Sequence, residues 1–159
     1  MTPGRYRRHD ALVGTFQHIL VTTDFSEIAE HGVTAAFELA RCSGAKVTLC
    51  HVLEATSRPN PMYAHYAPVE SVPPELAHNA EVRAEVALRS RIPADLAAQA
   101  SVAVTHGAVA EEILHLVETR GCDLVVISTH GHTGLLERLM GGVADRVVRH
   151  AKCPVLVMR

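Results

Sequence analysis

Short apolar runs alternate with amphipathic stretches along most of this chain, and that alternation restricts the fold more than any other feature of the sequence. The runs His18 to Thr22 (HILVT), Lys46 to Val52 (KVTLCHV), Ser101 to His106 (SVAVTH), Asp123 to Ile127 (DLVVI) and Pro154 to Met158 (PVLVM) read as buried strands. Between them, apolar residues recur at helical spacing. Ser26 is a natural N-cap for a helix through Ile28, Gly32, Ala35, Ala36, Leu39 and Ala40, and Ser43-Gly44 supplies its stop. Leu76, Val82, Val86 and Leu88 suggest a helix from Glu75 to about Ser90, and Pro93 either ends it or starts a short further turn. Ala110, Ile113, Leu114 and Val117 form a stripe closed by Arg120-Gly121, and Val143, Val147, Val148 and Ala151 form the face of a last helix. Strands alternating with helices predict an α/β fold, a Rossmann-like open sandwich whose mostly parallel sheet is covered on both faces. The proline-rich segment between Glu54 and Pro74 reads as a long surface loop.

At 159 residues, 48% of them hydrophobic, one domain can bury its own core without disulfides or a structural metal. We expect a single domain over residues 17–159, preceded by a flexible extension over residues 1–16. A net charge of −2 argues against a dedicated nucleic-acid binder, which would carry a basic excess. Apolar runs such as Leu124 to Ile127 are far shorter than the roughly 20 residues that span a bilayer. Asp10, Gln17 and His18 interrupt the amino-terminal segment too early for a signal peptide, so the expectation is a cytoplasmic protein with no membrane partner. Cys42, Cys50, Cys122 and Cys153 form no C-x-x-C pair and read as buried or half-buried thiols in a reducing compartment. The eleven histidines are scattered without metal-ligand spacing, so no metal site is assigned.

In a sheet of this kind the ligand site lies beyond the carboxyl ends of the strands, where the strand order reverses. Two segments there are rich in polar and glycine residues: Thr22-Thr23-Asp24-Phe25-Ser26, and Ser128 to Val143 with Gly131, Gly134, Gly141 and Gly142. Glycine-freed backbone amides, together with the positive end of a helix starting at Gly142-Val143, would make an anion pocket. The same glycines would equally permit tight turns and close helix–strand packing. Asp24 could cap the first helix with Ser26, and Val52 suits a core position. His130 and His132 flank Gly131 and could donate hydrogen bonds to phosphates, His130 could act as a base, or His130 could tie down the loop.

Four segments in order, HILVTTDFSEIAEHGVTAAFELA, VTLCHV, HGAVAEEIL and STHGHTGLLERLMGGVADRVVRHAKCPVLVMR, resemble the universal stress protein family over about residues 17–159. The resemblance implies a five-stranded sheet of order 3-2-1-4-5 and, in many members, ATP bound at a G-x2-G-x9-G-[S/T] motif. Here the frame reads Ser128, Gly131, nine residues, Gly141, Gly142. Ser128 adds a side chain where backbone and ribose would approach, and Gly142 removes a hydroxyl donor, for an expected ten- to hundredfold loss of affinity. By resemblance, Asp24 would bond the ribose, Thr22 and Val52 would border the adenine, Ile127 would line the pocket, and Val143 would open the phosphate-binding helix. Gly107 would form a turn near the ligand.

The implied function is an ATP-binding regulatory protein, with Mg2+ a possible companion of the nucleotide, that acts as a homodimeric stress-response switch on unidentified protein partners. A dimeric scaffold that binds no nucleotide is the alternative. A slow ATPase is a further one, though no G-x4-G-K-[S/T], paired carboxylate or nucleophile elbow supports it and no catalytic residue is assigned. The last strand presents an apolar edge, and family members commonly pair across it, so Val155 to Met158 are expected at the dimer interface.

Overall fold

The computed structural model of the chain describes residues 16–54, 74–129 and 142–159. The expected amino-terminal extension up to residue 15, the proline-rich loop, and the glycine segment with His130, Gly131, His132, Gly134 and Gly141 lie outside the described residues.

Five strands, β1 (His18–Thr22), β2 (Lys46–Glu54), β3 (Ala100–Gly107), β4 (Leu124–Ser128) and β5 (Val155–Met158), form one sheet of order β3-β2-β1-β4-β5. Every pairing is parallel, with Ile19 beside both Val47 and Leu124, and Val125 beside Val155. The helices are α1 (Glu27–Ser43), α2 (Pro74–Arg89), α3 (Val109–Arg120) and α4 (Gly142–His150), with a 3-10 turn at Ala94–Leu96. The strand order reverses between β1 and β4, as the resemblance implies. Element ends shift slightly from expectation: β2 runs on past Val52 to Glu54, and α2 opens at Pro74, where proline's fixed φ suits a first helical position. The short turn after Pro93 forms and buries Leu96.

Side-chain alternation splits the core into two layers. Ile19, Val21, Val47, Leu49, Leu124 and Val126 face α1 and α2, meeting Val33, Phe37 and Leu88. Phe16, at the boundary of the expected extension, packs against this layer. Leu20, Cys50, Ala103, Val125 and Ile127 face the other way, onto Ala110, Ile113, Val117, Ala144 and Val147 of α3 and α4. Ser26 caps α1 by accepting the Ala29 amide, and Gly44, left-handed at φ 75°, returns its own amide to the Ala40 carbonyl. Gly32 lets α1 lie close on the sheet, since a Cβ there would stand 3.2 Å from Ser128 Oγ.

Candidate functional site

The carboxyl ends of the strands carry the expected site residues, and alternation decides which of them share a face. Thr22 follows Leu20 by two residues, Val52 follows Cys50, and Ile127 follows Val125, so all three turn toward α3 and α4. Val52, Ile127 and Val143 belong to that layer's packing. Ser128 departs from expectation: its hydroxyl donates to the Ile28 carbonyl at 3.3 Å and stands beside Gly32, on the α1 side. Its side chain therefore does not occupy the face that Thr22, Val52 and Ile127 share.

Asp24 lies in the tight turn between β1 and α1. Its Oδ1 accepts both the amide (3.0 Å) and the hydroxyl (2.5 Å) of Ser26, which in turn caps α1. Asp24 thus supports the cap rather than forming it, and its Oδ2 takes no hydrogen bond from the described residues. Phe25, the next residue, adopts φ 65°, a left-handed conformation that bulky side chains rarely tolerate. Contacts on several sides hold it there. The Thr23 hydroxyl accepts the Phe25 amide (3.0 Å), the His51 ring lies 4.4 Å away between centroids, and the Arg91 guanidinium sits 4.8 Å from the Phe25 ring centre. His51 Nδ1–H donates to the Thr23 carbonyl (2.8 Å), while Arg91 pairs with Glu30 (2.5 Å).

A cleft of about 360 Å3 opens on the α3 and α4 side of the sheet, lined by Glu54, Gly107, Ala108, Val109, Ala110, Gly142, Val143 and Arg146; of the expected site residues, Gly142 and Val143 line it and Thr22, Asp24, Val52, Ile127 and Ser128 do not. Two helices begin at its wall. Ala108 gives α3 no side-chain cap, so the first amides of that helix are left for another acceptor. Gly142 starts α4 and is exposed, with no described residue within 4 Å of where a Cβ would stand. Gly107, at φ 147°, brings the β3–α3 turn against the Glu112 carboxylate. Arg146 donates to Glu111 across the gap between the two helices at 2.9 Å.

Sequence reasoning missed three features here. Arg146 and Glu54 carry no motif, although Arg146 stands one helical turn beyond Gly142. Thr105, whose Cα pairs with that of Val52, holds a buried hydroxyl with no hydrogen-bond partner among the described residues. Such an atom is uncommon enough in a folded chain to call for an explanation. Burial, chiefly, pushes the Cys50 thiol up to about 12. Among the described residues, no group of three or more His, Cys, Asp or Glu could hold a metal ion, and no helix is long and apolar enough to cross a membrane.

Comparison with known proteins yields a consistent set of relatives. The model of the Universal stress protein family matches residues 15–159. Universal stress protein G of Escherichia coli O157:H7 is 32% identical over 133 residues, covering 84% of this chain and 90% of its own. The solved universal stress protein UspA of Lactobacillus plantarum is 26% identical, with a TM-score of 0.74 over 90% of this chain and 97% of that one. Two more distant structures share the fold. One is a universal stress protein in complex with cAMP (23% identical, TM-score 0.58, covering 91% of this chain and 97% of that one). The other, from Archaeoglobus fulgidus, is in complex with dAMP (19%, TM-score 0.57, covering 90% and 98%).

Proposed function

The chain belongs to the universal stress protein family, and from that premise we propose that it binds an adenine nucleotide, ATP or its Mg2+ complex, and works as a homodimeric stress-response switch in the cytoplasm. One observation carries the reading: two helix N-termini, that of α3 without a side-chain cap, open onto a single cleft at the carboxyl ends of β2 and β3. Helix starts present amides and a positive dipole end, which is what a phosphate chain requires. The cleft's volume of about 360 Å3 falls within the range of small-molecule sites.

The remaining groups fit a nucleoside. In this reading Asp24 Oδ2, unused by the protein's own turn, accepts a ribose hydroxyl. Thr22, the Val52 backbone and Ile127 border the adenine, with the unpartnered Thr105 hydroxyl one strand further out. The amides of Gly142 and Val143 face the phosphates, joined by Gly131 and Gly141 of the motif frame. Because the Ser128 side chain is turned toward α1, its departure from the motif adds no bulk on the ligand face. Fold neighbours in complex with cAMP and dAMP support an adenine base. The cysteines among the described residues are all free, in keeping with a reducing compartment. For the dimer, β5 is an edge strand whose Val155–Met158 are half-buried, and pairing across it would cover both the apolar side chains and the open backbone edge.

Calorimetric titration of ATP into nucleotide-stripped protein tests the reading. Saturable binding in the micromolar range is expected, with Asp24→Asn weakening it ten- to a hundredfold through loss of a charge-assisted hydrogen bond. No binding up to millimolar ATP would replace this reading with that of a scaffold. Light scattering at micromolar concentration should give twice the 17.2 kDa chain mass.

A further inference from the structure

We infer that Arg146 reads the length of the phosphate chain, exchanging its resting partner Glu111 for the terminal phosphates and so favouring a nucleoside triphosphate over a monophosphate. The inference rests on the nucleotide-binding reading above and adds to it a residue and a selectivity.

Arg146 lines the cleft one helical turn beyond Gly142, and side chains on a helix lean toward its amino terminus. Its guanidinium is therefore carried toward the same helix end that faces the cleft. Among the described residues lining the cleft it is the one cation, set against the Glu54 carboxylate. Glu111 pairs with it, and Glu112 lies against the Gly107 turn. With the Glu54 carboxylate at the cleft and Glu111 holding the arginine, a polyanion gains little until that positive charge is released toward it.

The Arg146–Glu111 pair suits that release. It spans α3 and α4 at 2.9 Å, with side chains 50% and 55% exposed, so solvent screens it and little free energy holds it shut. A phosphate at the start of α4 competes with better geometry, because guanidinium meets phosphate with two parallel hydrogen bonds. Glu111 loses little when left alone, since it lies in the first turn of α3, where a carboxylate is favoured by the helix dipole. The exchange therefore couples the number of phosphates to the contact between α3 and α4. A monophosphate, ending near Gly142, leaves the pair closed; a triphosphate opens it.

The test is a set of ATP and AMP titrations on the full chain, with EDTA and with Mg2+, for the wild type, Arg146→Gln, Glu111→Gln and the double variant. Both residues are exposed, and unchanged circular dichroism would confirm folding of each variant. The ratio of ATP to AMP affinity should fall about tenfold in Arg146→Gln and rise several-fold in Glu111→Gln, where the arginine has lost its resting partner. The double variant should match Arg146→Gln. If both nucleotides bind and the ratio is the same in all four proteins, the inference is overturned while the binding reading stands. If Glu111→Gln lowers the ratio, and only with Mg2+, Glu111 is a metal ligand and the exchange is overturned. If neither nucleotide binds the wild type, the underlying reading fails and takes this inference with it.

Discussion

The two ends of the sheet are built on opposite plans. At the amino ends of the strands, polar groups are spent on one another. Asp123 accepts the amides of Gln17 (2.7 Å) and His18 (3.0 Å), and its own amide donates to the His18 carbonyl (2.9 Å). His18 Nδ1–H donates to the Arg120 carbonyl, its Nε2 meets the buried Thr48 hydroxyl at 2.9 Å, and that hydroxyl meets Ser101 at 3.1 Å. At the carboxyl ends, an Asp24 oxygen and the Thr105 hydroxyl have no such partner among the described residues, and the start of α3 has no side-chain cap. The closed end fastens four of the five strands together, whereas the open end holds binding capacity in reserve. Strain sits at the open end too, in Phe25, left-handed directly after Asp24 and packed against His51 and Arg91.

If the two plans are separable, substitutions should divide cleanly. The largest effect belongs to Asp123→Ala, which removes two charge-assisted hydrogen bonds from the closed end; we expect a loss of about 2–3 kcal/mol in stability with ATP affinity unchanged. Thermal unfolding together with calorimetry checks both halves, and a comparable loss of affinity would break the distinction. Asp24→Asn at the open end should do the reverse, lowering affinity while leaving the melting temperature within about a degree, because the amide keeps Oδ1 for Ser26. Next comes Gly142→Ser. No described residue stands within 4 Å of where its Cβ would be, so a hydroxyl should be accommodated there and tighten ATP binding on the order of tenfold. Unchanged affinity would mean that the phosphates lie elsewhere.

The smallest effect concerns thiols. Burial holds Cys50 at about 12 and Cys122 at about 11, so at pH 8 the thiolate fraction is on the order of one in ten thousand and one in a thousand respectively. A disulfide reagent at that pH should label the exposed Cys42 rapidly and Cys50 only at the rate of global unfolding. Faster labelling of Cys50 would show that the open end breathes by itself.

The architecture was legible because each strand announces itself within a few residues. LVVI can hardly be other than buried, and Gly44 and Gly121 punctuate α1 and α3 as left-handed stops. The family resemblance groups Thr22, Val52 and Ile127, and the strand period of two then puts all three on one face. The rest depends on contacts between residues distant in sequence, which leave no local trace. Asp123 looks like an ordinary strand-leading aspartate, and nothing marks its bonds to residues 105 and 106 positions away. Ser128 could be assigned to the motif but not to a face without knowing that α1 lies over it. Phe25 gives no glycine to betray its positive φ. Arg146 reads as one more solvated charge until α3 is seen beside α4.

The central place of β1 also has a consequence in time. β1 can pair with β2 soon after both are synthesised, but its other neighbour and the Asp123 latch come 105 residues after His18. At about 5–20 residues per second, that interval is roughly 5–20 s, during which β1 keeps one edge uncovered while β2 and, late in the interval, β3 are made. The edge that waits is the one that later receives β4 and, with it, the strand reversal on which the site is built. Translation therefore completes the scaffold and the ligand cleft in a single late step, and a chain halted before Asp123 has neither.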